Sequence, residues 1–143
     1  MLKGIPPLVG PDLLHVLRVM GHGDEIALVD ANYPGDSAGP ELIRLDGSTV
    51  TEVLDAVLTL MPLDTFVPEQ AFGMAVVDAP AAVVDVHKDF QTIITKHEPG
   101  MKLTLMERFA FYDRVRNAYA LVQTGERRLY GNILLKKGII RPE

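Results

Sequence analysis

The 143-residue chain sets a histidine between two glycines, in Gly21-His22-Gly23-Asp24-Glu25, where a helical pattern stops. An apolar run follows, Ile26-Ala27-Leu28-Val29, and it ends on Asp30. An imidazole with an ordinary pKa of about 6.5 gains and loses a proton near neutrality. The flanking glycines let the backbone turn tightly or approach a ligand closely. Carboxyl ends of strands are common ligand sites in α/β proteins. His22 and Asp30 together predict a small acid–base site. They stand at opposite ends of the predicted strand, so contact between them does not follow from the sequence. Asp30 fits an Asx-type turn into Asn32-Tyr33-Pro34, and it also fits a hydroxyl acceptor or an orienter of His22. Asp24 and Glu25 read as turn caps.

Three later residues add hydrogen-bonding groups. Arg108 lies in Glu107-Arg108-Phe109-Ala110-Phe111-Tyr112, which reads as aromatic core with solvated charge. Its guanidinium is also a multiple donor suited to a polyhydroxylated ligand. Tyr130 and Asn132 stand two apart on a predicted strand and so should share a face. A phenol and an amide on one face suit vicinal hydroxyls, or a contact between subunits. His15, His87 and His97 sit in helical contexts and read as surface or satisfied packing residues. They have no metal-ligand spacing. The chain carries no H-E-x-x-H, P-loop, GxGxxG after a strand, or G-x-S-x-G elbow.

Composition narrows the function classes. The formal charge of -5 argues against nucleic acid, which is held by concentrated Lys and Arg. Basic pairs at Arg114 to Arg116, Arg127 to Arg128 and Lys136 to Lys137 read as mostly solvated surface. The absence of cysteine removes disulfides, thiolate chemistry and thiolate zinc sites. MLKGIPPLVGPD is too short and Pro-broken for a signal peptide. No apolar run approaches the roughly 20 residues that span a bilayer. A cytoplasmic location is the expectation.

The elements that must position these residues follow from periodicity and punctuation. Pro11 and Asp12 open a helix with Leu13, Leu14, Leu17 and Met20 at helical spacing, and Gly21 suits its C-terminal cap. Strands are predicted at Ile26 to Ala31, Leu42 to Leu45 and Ala71 to Val77, with an irregular loop over Asn32 to Pro40. Helices are predicted at Thr51 to Met61, Ala81 to His97 and Phe109 to Ala118. Tyr119 to Thr124 and Gly131 to Leu135 read as a terminal hairpin turning at Gly125-Glu126. Alternating helices and strands predict one α/β domain over 1–143, three-layered, with a mixed sheet flanked by helices.

Taken together, these segments resemble the sugar mutarotase family that contains D-ribose pyranase and L-fucose mutarotase. MGHGDEIALVDANYP resembles its amino-terminal site, and RLDG, PLDTFVP, RFAFYDRVRNAYALVQTGE and YGNILLKKG its later segments. The likeness runs from about Leu2 to Ile139, weakest over Asp78 to Lys102. FYDR, GHGDE and YGNILLKKG point to the fucose branch. The resemblance implies interconversion of the α and β anomers of a reducing sugar, L-fucose first, by acid–base ring opening and closure. It implies His22 in proton transfer, Tyr130 as a second proton group, and Asp30, Arg108 and Asn132 as sugar contacts. It implies rings of five subunits stacked as a homo-decamer, with sites at subunit boundaries. The reaction calls for no cofactor, nucleotide or metal. The competing expectations are a non-catalytic monosaccharide-binding or regulatory protein and a structural subunit without a small ligand.

Overall fold

The computed structural model describes residues 1–143. Pro11 and Asp12 begin α1 (Pro11–Val19), which buries Leu13, Val16 and Leu17. A turn carrying His22 leads into β1 (Glu25–Val29), whose last four residues are buried. β2 (Glu41–Leu45) precedes α2 (Val50–Leu60). Thr49 and Glu52 form a reciprocal capping box at the start of α2, satisfying backbone donors that the first turn leaves open. Then come β3 (Ala71–Met74), α3 (Asp85–His97) and β4 (Leu103–Met106). The chain closes with α4 (Arg108–Arg116), β5 (Ala120–Thr124) and β6 (Ile133–Lys136).

The six strands form one mixed sheet in the order β2-β5-β1-β6-β3-β4. β1 is central, parallel to β5 with Ile26 opposite Ala120, and antiparallel to β6 with Ile26 opposite Leu135. Alternate side chains of a strand point to opposite faces. Ile26 and Leu28 therefore join α1, α2 and α3 residues in the larger core, of 24 buried side chains. Ala27 and Val29 join Phe111 and Val115 of α4 in a smaller one, of nine. The layers are α/β/α, as the alternation of elements predicts. Leu28 is fully buried, and Leu28→Ala would cost about 2–5 kcal/mol in lost transfer energy and cavity.

Four details differ from the sequence reading. β5 and β6 do not form a hairpin, because β1 lies between them in the sheet. Both are buried on both faces, and such strands belong in a sheet interior. Tyr130, Gly131 and Asn132 precede β6 and are not in a strand. β4 is an edge strand that the sequence did not announce, and β3 and α3 are shorter than their patterns. Finally, Gly23, not Gly21, takes the left-handed conformation after α1, with φ of 87°.

Candidate functional site

The carboxyl end of β1 is built around a buried pair. The Asp30 N–H donates to Asn132 Oδ1 at 2.9 Å, and Asn132 Nδ2 donates back to Asp30 Oδ2 at 3.1 Å. The Asn32 N–H donates to Asp30 Oδ1 at 2.9 Å, so the Asx turn and the polar site coexist. Burial pushes the Asp30 carboxyl up, and its hydrogen bonds offset only part of that rise. A buried carboxylate with spare lone pairs is a strong acceptor for a ligand hydroxyl. Gln123 of β5 holds the following loop by donating to the Tyr33 carbonyl at 2.7 Å.

The loop from β5 to β6 wraps this pair. Glu126 is buried and held by Arg128 through its Nε and Nη2 at 3.0 Å each. Arg128 also reaches Asp89 of α3 at 2.6 Å. A Cβ on Gly131 would stand 2.7 Å from Glu126 Cγ, so only glycine lets the loop close here. Tyr130 takes a left-handed backbone, φ 64°, which a bulky side chain rarely adopts. Its phenol accepts the Val77 N–H at 3.2 Å, which leaves its own O–H free to donate elsewhere.

Asp30, Arg108, Tyr130 and Asn132 line one cavity of about 180 Å³, with Tyr33 and Tyr112 as aromatic wall. Arg108 and Val77 also border an adjoining cavity of about 390 Å³. Arg108 begins α4, its guanidinium stacked 4.5 Å from the Phe109 ring centre. Its buried Nε has no partner in the protein, and the residue borders both cavities. The shared strand face expected of Tyr130 and Asn132 is absent. A turn brings them to the cavity instead.

His22 is elsewhere. It sits before β1, and a strand rise of about 3.3 Å per residue puts it on the order of 20 Å from Asp30. Backbone bonds from Gly23 to Lys137 and from Lys137 to Asp24, both 2.9 Å, fix its turn. Asp24 accepts the Gly21 N–H at 2.7 Å, the capping role read from sequence, while Glu25 pairs with Arg114. The imidazole Nε2 bonds Asp64 Oδ1 at 2.9 Å and packs 5.2 Å from the Phe66 ring centre. Asp64 was not singled out in the sequence. Its signal was an acid between Leu63 and Thr65 in a Pro-bounded segment, where it also accepts the Phe66 N–H at 3.0 Å. Burial pushes the Asp64 carboxyl up, but the bonds from Phe66 and His22 outweigh this and hold it below the ordinary range. With Nε2 committed to a carboxylate, Nδ1 is the nitrogen left for chemistry.

Of the other histidines, His15 is exposed and His97 bonds Asp55 at 2.7 Å. His87 departs from expectation: it is 2% exposed, and neither ring nitrogen has a hydrogen-bond partner.

The small pocket of this α/β/α sandwich presents a carboxylate, an amide, a phenol and a guanidinium, groups with the hydrogen-bonding capacity to meet hydroxyls. The sequence profile of the RbsD / FucU transport protein family matches residues 3–140. The chain belongs to that family. It is 45% identical over 150 aligned positions to a fucose mutarotase of Bos taurus, covering 100% of this chain and 97% of that one. It is similar to the crystal structure of the Streptococcus pneumoniae fucose mutarotase in complex with L-fucose. There the TM-score is 0.90 at 45% identity, over 98% of this chain and 100% of that one. Bacillus subtilis RbsD, complexed with D-ribose, shares the fold alone, with a TM-score of 0.73 at 18% identity over 93% and 95% of the two chains.

Proposed function

We propose that this chain is an isomerase that interconverts the α and β anomers of L-fucose. The convergence of Asp30, Arg108, Tyr130 and Asn132 on one small cavity carries the reading. Full-length likeness to fucose mutarotases at 45% identity supports the substrate. No helix is long and apolar enough to cross a membrane. A cytoplasmic location and a place in fucose metabolism belong to the same reading.

The chemistry needs a proton acceptor, a proton donor and clamps. The anomeric hydroxyl loses its proton as the ring oxygen gains one, and the bond between C1 and the ring oxygen breaks. The open aldehyde turns its other face, and closure reverses the transfers. Atoms and charge balance without a second substrate. The Asp64 carboxylate fixes the Nε2–H tautomer of His22, which makes Nδ1 a base toward the anomeric hydroxyl. Tyr130 donates from a phenol already anchored by Val77, while Asp30, Arg108 and Asn132 hold hydroxyls. General acid–base catalysis supplies about 10²–10⁴-fold, enough for a reaction that is already easy.

One protomer separates its base from its clamps. In the proposed assembly the His22 end of one subunit covers the Asp30 end of the next, in rings of five stacked as a decamer. Exposed Phe66 beside His22, and exposed Leu129 and Val77 at the cavity, suit such a heterologous contact.

The test is NMR saturation transfer between anomeric protons at trace protein concentration. L-fucose should exchange faster than D-ribose. Equal or reversed efficiencies would remove the fucose assignment, and saturable binding without exchange would leave a sugar-binding protein.

A further inference from the structure

α3 meets the sugar-binding loop from beneath at two points. Asp89 reaches Arg128, and His87, two residues earlier, is buried at 2% exposure. The backbones of Met74 and Tyr130 act on its ring, and both of these residues line the cavity. Burial pushes the His87 ring toward its neutral form, and those two backbones act against the shift without reversing it. A neutral imidazole has one N–H to give. Neither nitrogen makes a hydrogen bond of full geometry. A buried polar ring without a full partner is costly, and the Met74 and Tyr130 backbones are the groups that offset that cost here.

Tyr130 is the residue that needs holding. Its left-handed backbone is disfavoured for a bulky side chain, and nothing in its own side chain compensates beyond one long bond from Val77. Gly131 and Asn132 follow directly, so the angle at Tyr130 sets where the phenol and the amide both stand. We infer that His87 is a positioning residue of the sugar site: packed against the Met74 and Tyr130 backbones, it braces the turn that presents Tyr130 and Asn132. This rests on the mutarotase reading for its effect on turnover, while the brace itself is independent of substrate.

The experiment uses full-length protein in its native assembly. His87→Gln keeps an N–H donor; His87→Leu removes it, with His87→Met as a second apolar replacement. Each is checked by circular dichroism and oligomer size. All tyrosines are replaced by 3-fluorotyrosine, and the Tyr130 line is assigned with Tyr130→Phe. His87→Leu should shift or broaden the fluorine resonance of Tyr130. It should lower kcat/KM for fucose exchange by about 10-fold, since small displacements of reacting groups are expensive. His87→Gln should recover most of both. A folded His87→Leu protein with an unmoved Tyr130 line and wild-type kcat/KM overturns the assignment. Equal losses in the Leu and Gln proteins with an unmoved Tyr130 line also overturn it. If the wild type exchanges no sugar, the mutarotase reading falls and the Tyr130 line alone decides the brace.

Discussion

The two ends of β1 are built on opposite plans. At the carboxyl end, Asp30 and Asn132 are buried at 4% exposure each, and they bond one another twice. Arg128, Glu126, Gln123 and Gly131 lock the surrounding loops. At the amino end, His22 has a side chain 41% exposed, on a turn of two glycines, with one side-chain bond to Asp64. On the proposed reading the first end holds the sugar hydroxyls. On the same reading the second end supplies the imidazole that moves the proton. Binding groups profit from a preset geometry, whereas a proton carrier needs access, and this reading gives the two demands to different regions. Neither region is then a complete site, so the comparison predicts that they fail differently.

The sharpest way to break that contrast is to disable each end in turn and then mix the products. His22→Asn should cut anomer exchange by at least about 10²-fold, the low end for a lost acid–base group. Its sugar affinity should remain close to wild type. Asp30→Asn should lose affinity as well as exchange. Co-assembling the two inactive proteins should restore up to about a quarter of the sites if each site draws on two subunits through a heterologous contact. Mixed assemblies without activity would confine the whole site to one chain. Exchange rates, titration by NMR and light scattering supply the readouts.

A smaller effect separates His22 from its orienter. Asp64→Asn keeps an oxygen for the Phe66 N–H but removes the charge facing the ring. Exchange should fall about 10-fold through loss of the preferred tautomer and of the charge that stabilises the imidazolium. Fucose affinity should hold. A drop in affinity with unchanged kcat would move Asp64 from the proton path to the sugar.

The least effect on turnover, and a clear one on stability, is expected at the clamp end. Arg128 hydrogen bonds hold the Glu126 carboxyl below its ordinary value of 4.5. A depressed carboxylate stabilises the fold above its unfolded pKa and loses that contribution as pH falls through the folded one. Arg128→Met should therefore cost about 1–2 kcal/mol near neutrality, and the difference from wild type should shrink below about pH 4. Urea denaturation at the two pH values measures it. A difference that stays constant with pH would remove the Glu126–Arg128 pair as the cause.

These contrasts were partly visible in the sequence. The helical stripe of α1, the apolar β1 and the glycines around His22 are local signals, and local physics decided them. The His22 and Asp30 separation was also legible, because a strand has a known rise. Strand pairing was not. ALVQT and ILLK, joined by a short polar loop, look like hairpin arms, and only the distant β1 intervenes between them. β4 escaped because LTLM is short, half-buried and follows a Pro-Gly break. His87 lies three residues before Phe90 and seven before Ile94, on the buried stripe of α3. That spacing was available, but the charged neighbours Asp85, Lys88 and Asp89 made the segment look solvated. Asp64 becomes meaningful only when the fold brings it 42 positions back to His22.

β1 is hydrogen-bonded on both sides by β5 and β6 and can neither stretch nor slide without breaking two ladders. In the proposed ring it acts as a spacer rod. One tip serves the reaction in one cleft and the other tip serves the next, so its five residues set the pitch from cleft to cleft. Insertion or deletion of a single residue in it would turn the side chains beyond it to the opposite face of the sheet and put every cleft around the circle out of alignment at once.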